Sequence, residues 1–285
     1  MEKYKQIKKV AIYGIITNVL LSIIKLVTGL LSYSQAMIAD GINSLGDIVS
    51  SIMTLIGNKI SSKPKDSDHP YGHGKAEYIF SLMIGVTLIQ FAIQIIKNAI
   101  DSYSSKQKVE FSIYLILVSI VVIAIKYALY IYTKKVGSKT QSLLLVANSK
   151  DYRNDIFVTL GTLTSIIFDY FSLYIADVIV AIVIAIWTGY SGFKIIVEAY
   201  RVLMDTNIDS KTIDKIRQIV LKIRGISHID DITSKPTGLK YLIIIKVSVP
   251  GNITVNTAHK AAAIIRRRVN RLDKIADTIV HINPS

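Results

Sequence analysis

Apolar residues in this chain come in long blocks separated by short polar stretches. Predominantly apolar runs cover 10–31 (VAIYGIITNVLLSIIKLVTGLL), 36–57, 79–96, 111–132, about 142–168 and 172–192. Each is close to the roughly 20 residues a helix needs to cross about 30 Å of hydrocarbon, so the pattern predicts six transmembrane helices. The first is not read as a cleavable signal, because its apolar core is too long and no small-residue cleavage site follows it. Near Asp205 the pattern changes. An amphipathic helix (212–224) is followed by a strand (HIDDITSK), a turn at PTG, a strand (KYLIIIKVSV), a helix (NTAHKAAAIIRRRVNRLDK) and a last strand (DTIVHI). The expected fold class is an α-helical membrane protein: a six-helix transmembrane domain followed by a small α+β, ferredoxin-like α-β-β-α-β cytosolic domain. The boundaries are a cytosolic tail at 1–9, the membrane domain at 10–204 and the cytosolic domain at 205–285.

Composition agrees with that division. The chain is 51% hydrophobic and 19% charged, with a mean hydropathy of +0.44, too apolar for an ordinary soluble domain. Its net charge of +14 follows largely from topology. Basic residues gather in the N-terminal tail MEKYKQIKK, the 2–3 connection NKISSKPKDSDHPYGHGK and the 4–5 connection TKKVGSK, whereas SYSQ and DYFSLY carry none. The positive-inside rule then puts both termini in the cytoplasm, in a multi-pass plasma (inner) membrane protein. Nucleic acid is not an expected partner. Residues 206–285 hold 14 Lys/Arg against 6 Asp/Glu, so contact with anionic membrane lipid is expected. The chain has no cysteine, which leaves oxygen and imidazole as metal ligands.

The second apolar block reads AMIADGINSLGDIVSS, with Asn43 and Asp47 four apart; the fifth contains ANSKDYRND, with Asp151 and Asp155 four apart. Four residues of helix rise about 6 Å and return to nearly the same face. A carboxylate at membrane depth is costly and normally turns inward toward a partner or a water-filled path. If the two faces meet, four oxygen-bearing side chains surround one point. Three crowded negative charges call for a cation or for protons, which is the chemistry of a divalent-metal site in exchange with protons. Single aspartates such as Asp40, Asp169 and Asp177 read as interfacial.

The pairs NSLGD and DYRND, together with HPYGHGKAE between the second and third spans and LMD closing the sixth, resemble the cation diffusion facilitator family over nearly the whole chain. The resemblance implies a homodimeric antiporter, not an enzyme, that moves a divalent transition-metal ion out of the cytoplasm in exchange for protons by alternating access. It assigns the transport site to Asn43, Asp47, Asp151 and Asp155. Zinc-type members usually have a histidine among these four, and this set has none. The Asn-Asp/Asp-Asp pattern is similar to the manganese-type branch, which makes Mn²⁺ the expected cargo, with Zn²⁺, Fe²⁺ and Co²⁺ as alternatives. No cofactor is expected.

The same resemblance points to a second metal site in the 2–3 loop, at Asp66, His69 and His73, able to take Zn²⁺ or another divalent ion. It pairs Lys75 with Asp205 as an ion pair where the membrane and cytosolic halves join. In the cytosolic domain the family's ligand positions fall on Asp230, Lys246, His259, His281 and Asn283. An ammonium and an amide among them disfavour a metal pair and leave at most a weak single ion at His259 and His281. Two readings from other classes remain: a membrane-anchored metal sensor, disfavoured by those lost ligands, and an intramembrane aspartyl hydrolase, disfavoured because NSLGD lacks the first glycine of a Gly-x-Gly-Asp stretch.

Overall fold

The structure, a computed structural model, describes residues 2–31, 35–105, 113–170 and 174–285. Several side chains within those ranges, including Asp40, Asn43, Asp169 and Asp177, lie outside the description, as do all or part of the connections SYSQ, DSYSSKQKVE and DYFSLY. The chain divides into two compact units: Met1–Ser62 with Ala76–Ala199, and Lys63–Lys75 with Tyr200–Ser285.

The first unit is built from α1 (Glu2–Leu31), α2 (Gln35–Ser61), α3 (Ala76–Ser105), α4 (Ile113–Thr140), α5 (Leu143–Tyr170) and most of α6 (Tyr174–Leu203). Among the described residues, α1, α3, α4 and α6 are long and apolar enough to cross a membrane by length and composition. The remaining two, α2 and α5, carry the polar motifs.

The helices overrun their apolar blocks. The basic tail is not a separate segment: α1 starts at Glu2, and Ile7 and Val10 are buried with Leu145. TKKVGSK is likewise not a loop but the last turns of α4, and the connection to α5 shrinks to Gln141 and Ser142. Polar residues continue a helix readily once it leaves the bilayer, because its backbone hydrogen bonds are internal.

Polarity in this unit is inside out. Ile12, Ile16, Leu20, Ile23 and Val27 of α1 face outward, while Asn18, Ser22 and Lys25 of the same helix are buried. On α2, Ser44, Asp47, Ser50, Ser51 and Thr54 are buried. A helix bundle in lipid favours this arrangement, since polar side chains find partners only in its interior. α1 packs on α2 and α4, α2 on α3 and α5, and α4 on α5. Gly85 of α3 and Gly192 of α6 allow a close approach: a Cβ at Gly192 would lie 2.7 Å from the Gly85 carbonyl oxygen.

The second unit contains α7 (Ser210–Leu221), β1 (His228–Pro236), β2 (Tyr241–Val249), α8 (Val255–Val269) and β3 (Ile275–Pro284). The sheet order is β1-β2-β3, antiparallel between the first pair and parallel between the second, with α8 as the crossover. Ile243, Ile245 and Val247 are fully buried at alternate positions of β2 and share a core with Ile216 and Val220 of α7 and Ile265 and Val269 of α8. Asp209 caps α7, accepting from the Thr212 N–H at 3.0 Å. α8 ends at Val269, earlier than the sequence pattern suggests. Asn270 is its C-cap, and the Asn270 side chain turns to donate to Asp277 at 2.9 Å.

Candidate metal centre

The centre of the first unit is assembled from α2, α4 and α5. Asp47 of α2 and Asp151 and Asp155 of α5 are 6, 9 and 6% exposed. Spacing alone put Asp151 and Asp155 on one face of α5. Tertiary packing adds that α2 brings Asp47 to that face. Asn43 lies one turn before Asp47 on α2, with its side chain outside the described residues.

A residue that the sequence reading passed over sits among these carboxylates. Lys126 of α4 is completely buried, and its Nζ donates to Asp47 Oδ2 and to Asp155 Oδ2, both at 2.7 Å. The ammonium also stands 5.3 Å from the centroid of the Tyr152 ring. The signal was present in the sequence: Lys126 is the lone charge inside IVVIAIKYALYIY, and an ionisable residue at that depth is a functional-site hypothesis by default. Lys25 of α1, in LSIIKLVTG, gives the same signal, and its Nζ donates to Ser44 Oγ at 2.9 Å.

A hydrogen-bonded shell surrounds the group. Asn18 donates to the Asp47 carbonyl oxygen and to Ser51 Oγ, each at 3.3 Å. Ser51 Oγ lies 3.1 Å from the Tyr152 hydroxyl, which accepts from Asn148 at 3.4 Å. Asp151 Oδ2 is buried with no hydrogen-bond partner among the described residues. Such an oxygen is costly to leave unpaired. The donor set is hard: carboxylates and hydroxyls, with no imidazole. That chemistry suits a hard divalent ion better than one that prefers nitrogen or sulfur.

The second unit holds a separate cluster. Asp66, His69 and His73 each offer a ligand atom, and these atoms all lie within 4.8 Å of one another. It is the one such trio among the described residues, so Asp47, Asp151 and Asp155 are more open than a collapsed three-ligand site. The loop is fixed by its own backbone: His69 N–H donates to Asp66 Oδ1 at 2.7 Å, and Gly72, with φ +82°, closes the turn. That backbone donor, with the nearby imidazoles, holds the Asp66 carboxyl below the usual carboxylate range. His73 Nδ1 faces the Pro64 carbonyl oxygen at 3.1 Å, which leaves Nε2 for Asp66 at 3.4 Å. A ligating histidine is commonly oriented in this way by a carbonyl behind it.

Lys75 Nζ lies 2.6 Å from Asp205 Oδ1, and Lys235 reaches the other oxygen at 3.8 Å. Asp205 adopts a left-handed backbone (φ 53°), which aspartate tolerates better than most residues.

In the cytosolic sheet Asp230 is already engaged. It accepts from Ser248 Oγ at 2.9 Å and Asn283 Nδ2 at 3.0 Å, and His228 Nε2 is 2.9 Å away. These contacts, Asn283 first, hold its carboxyl below the usual range. His281 pairs with Lys246 across the sheet, and both His259 and His281 are exposed. Neither joins a trio of ligands among the described residues.

Residues 11–204 match the family model of the cation efflux transmembrane domain, and 208–285 match that of the cation efflux protein cytoplasmic domain. The chain is 33% identical over 290 residues to the manganese efflux system protein MneS of Bacillus subtilis, covering 100% of this chain and 99% of that protein. It is 33% identical over 291 residues to MneP of the same organism, covering 97% and 96%. The cation-efflux pump FieF of Shewanella oneidensis is 27% identical over 271 residues, covering 95% and 92%.

Proposed function

The chain belongs to the cation efflux, or cation diffusion facilitator, family, and from that premise we propose that it is a proton-coupled antiporter exporting Mn²⁺ from the cytoplasm. The observation that carries the reading is the convergence of buried Asp47 and Asp155 on one point between helices, with buried Asp151 one turn away on α5 and no histidine among them. The similarity to MneS and MneP supports manganese as the cargo.

In this reading Asn43, Asp47, Asp151 and Asp155 receive the ion, and the family's alternating access carries it across. Ligating carboxylates must be deprotonated, so an arriving ion releases protons and protons arriving from the far side release the ion. Residues 10–204 do the transport, and 205–285 hold two copies of the chain together as a homodimer. Lys75 and Asp205 tie the last transmembrane turn to the connection that precedes α3. Both termini face the cytoplasm, and the protein resides in the plasma membrane. The loop trio Asp66, His69 and His73 takes Zn²⁺ or another divalent ion as a structural site, since its imidazole-rich set suits a softer metal than the cargo. In the cytosolic domain the hydrogen bonds on Asp230 and the placement of Lys246 beside His281 leave His259 and His281 a weak site at most.

Flux into proteoliposomes tests the reading. Under an imposed pH gradient, Mn²⁺ flux is expected to exceed Zn²⁺ flux and to vanish in Asp151→Ala. Flux that ignores the gradient would remove proton coupling. Zn²⁺ flux alone would remove the argument from the missing histidine.

A further inference from the structure

Lys126 brings a positive charge to two of the carboxylates proposed to receive the ion, at 2.7 Å from Asp47 Oδ2 and from Asp155 Oδ2. A lysine with no side-chain exposure is expensive to bury. We propose that Lys126 is a tethered rival of the cargo: its ammonium holds Asp47 and Asp155 until a divalent ion displaces it. The inference rests on the reading that these carboxylates receive the transported ion.

Three physical arguments support it. First, the ammonium and a metal ion seek the same two carboxylates, and two cations side by side there repel each other. A side chain anchored on α4 competes at a high effective concentration, on the order of millimolar or above. Second, charge decides which ions win. A monovalent ion offers the two carboxylates no more charge than the ammonium already there, whereas a divalent ion offers twice as much. Lys126 thereby sets a minimum of two charges on what enters. Third, a transporter needs a site strong enough to load and weak enough to empty. Returning Lys126 to Asp47 and Asp155 supplies a replacement cation as the metal leaves, so the carboxylates are not left bare. The Tyr152 ring, 5.3 Å from Nζ, is a ready berth for the displaced ammonium.

The test is Mn²⁺ binding to the full chain in lipid nanodiscs at pH 8, read from the loss of the free-ion paramagnetic resonance signal. His69→Ala and His73→Ala form the background, so that loop binding does not contribute. Lys126→Gln and Lys126→Met are expected to bind Mn²⁺ at least tenfold more tightly than the background protein, with Lys126→Arg within about threefold of it. Mn²⁺ binding to Lys126→Gln is also expected to weaken in 0.3 M NaCl far more than binding to the background protein. In flux assays Lys126→Gln should show a lower KM and a lower maximal rate together. Damage to the fold weakens binding and does not produce this pattern. Unchanged or weaker binding in the folded Gln or Met variant, with Asp155→Ala binding no Mn²⁺, would overturn the role of Lys126 alone. Parent-like binding by Asp155→Ala would instead overturn the carboxylate site on which the inference rests.

Discussion

Asp151 and Asp155 stand one turn apart on α5 but are not equivalent: Asp155 shares the Lys126 ammonium at 2.7 Å, whereas Asp151 keeps a buried Oδ2 with no hydrogen-bond partner among the described residues. Removing one partner from a buried ion pair costs about 3–5 kcal/mol, because the other charge stays behind; Asp47 softens that cost here by retaining half of the pairing. Removing Asp151 instead relieves crowding between like charges. Asp155→Ala is therefore expected to lower the Tm of the detergent-solubilised protein by several degrees, and Asp151→Ala to leave it unchanged or raise it. Both should abolish Mn²⁺ flux. Equal losses of Tm in the two variants would contradict the asymmetry.

That asymmetry also marks what a sequence carries and what it withholds. The helical membrane domain and the small α+β domain were legible because each leaves a periodic trace: apolar blocks near bilayer length, then short β-branched runs between turn residues. The i, i+4 spacing of Asp151 and Asp155 indicated a shared face, but spacing does not say what stands opposite. Lys126 lies 29 residues from Asp155 and 79 from Asp47, so their contact is a product of packing. Its lone charge in an apolar run is visible in the sequence, but nothing in the run names the carboxylates it meets. Helix ends are not legible where hydropathy falls, as at the start of α1 and the end of α4, because hydropathy reports the bilayer and not the helix. Asp230 reads as a free ligand until the β1/β2/β3 register brings Ser248 and Asn283 beside it.

The loop trio should be separable from transport. His73 supplies one ligand atom and is anchored through its other nitrogen to Pro64, so His73→Ala removes both a ligand and a loop contact. Protein purified after Zn²⁺ exposure is expected to lose about one equivalent of metal in His73→Ala, measured by inductively coupled plasma mass spectrometry. Mn²⁺ flux should persist at no less than about half the parent rate. Abolished flux, with the variant folded, would make the loop part of the transport path.

Asp277 offers a pH-dependent handle on the cytosolic domain. Arg266 donates two hydrogen bonds to it, Nε at 2.9 Å and Nη2 at 2.7 Å, with Asn270 and the Thr278 N–H adding two more. Arg266 first among these, they bring its carboxyl down from 3.8 to about 2. A carboxyl held low in the folded state stabilises it fully above the unfolded value, and that stabilisation fades as pH falls from about 4 toward about 2. Both side chains are more than a third exposed, so solvent screening keeps the pair's contribution small. Asp277→Asn is thus expected to lower stability slightly at pH 7 and to converge on the parent near pH 2. A gap that widened toward low pH would reverse the sign and refute the assignment.

The ring beside the Lys126 ammonium is held in a tight space. Tyr152 is fully buried, and its hydroxyl lies against α1 at Gly14; a Cβ there would overlap the hydroxyl and stand 3.0 Å from Ser51 Oγ. Neither atom can yield easily, since the Tyr152 hydroxyl is bonded to Ser51 and Asn148 and the ring lies beside the Lys126 ammonium. Gly14→Ala is therefore expected to push Tyr152 toward the carboxylates and to reduce Mn²⁺ flux by at least about fivefold. Tyr152→Phe removes the colliding oxygen and keeps the ring, with loss of the hydrogen bonds to Ser51 and Asn148. If the collision is the cause, the double variant should transport better than Gly14→Ala alone, a coupling of the kind that residues in contact show. Additive losses would place the effect of Gly14 elsewhere, in the packing of α1 on α2.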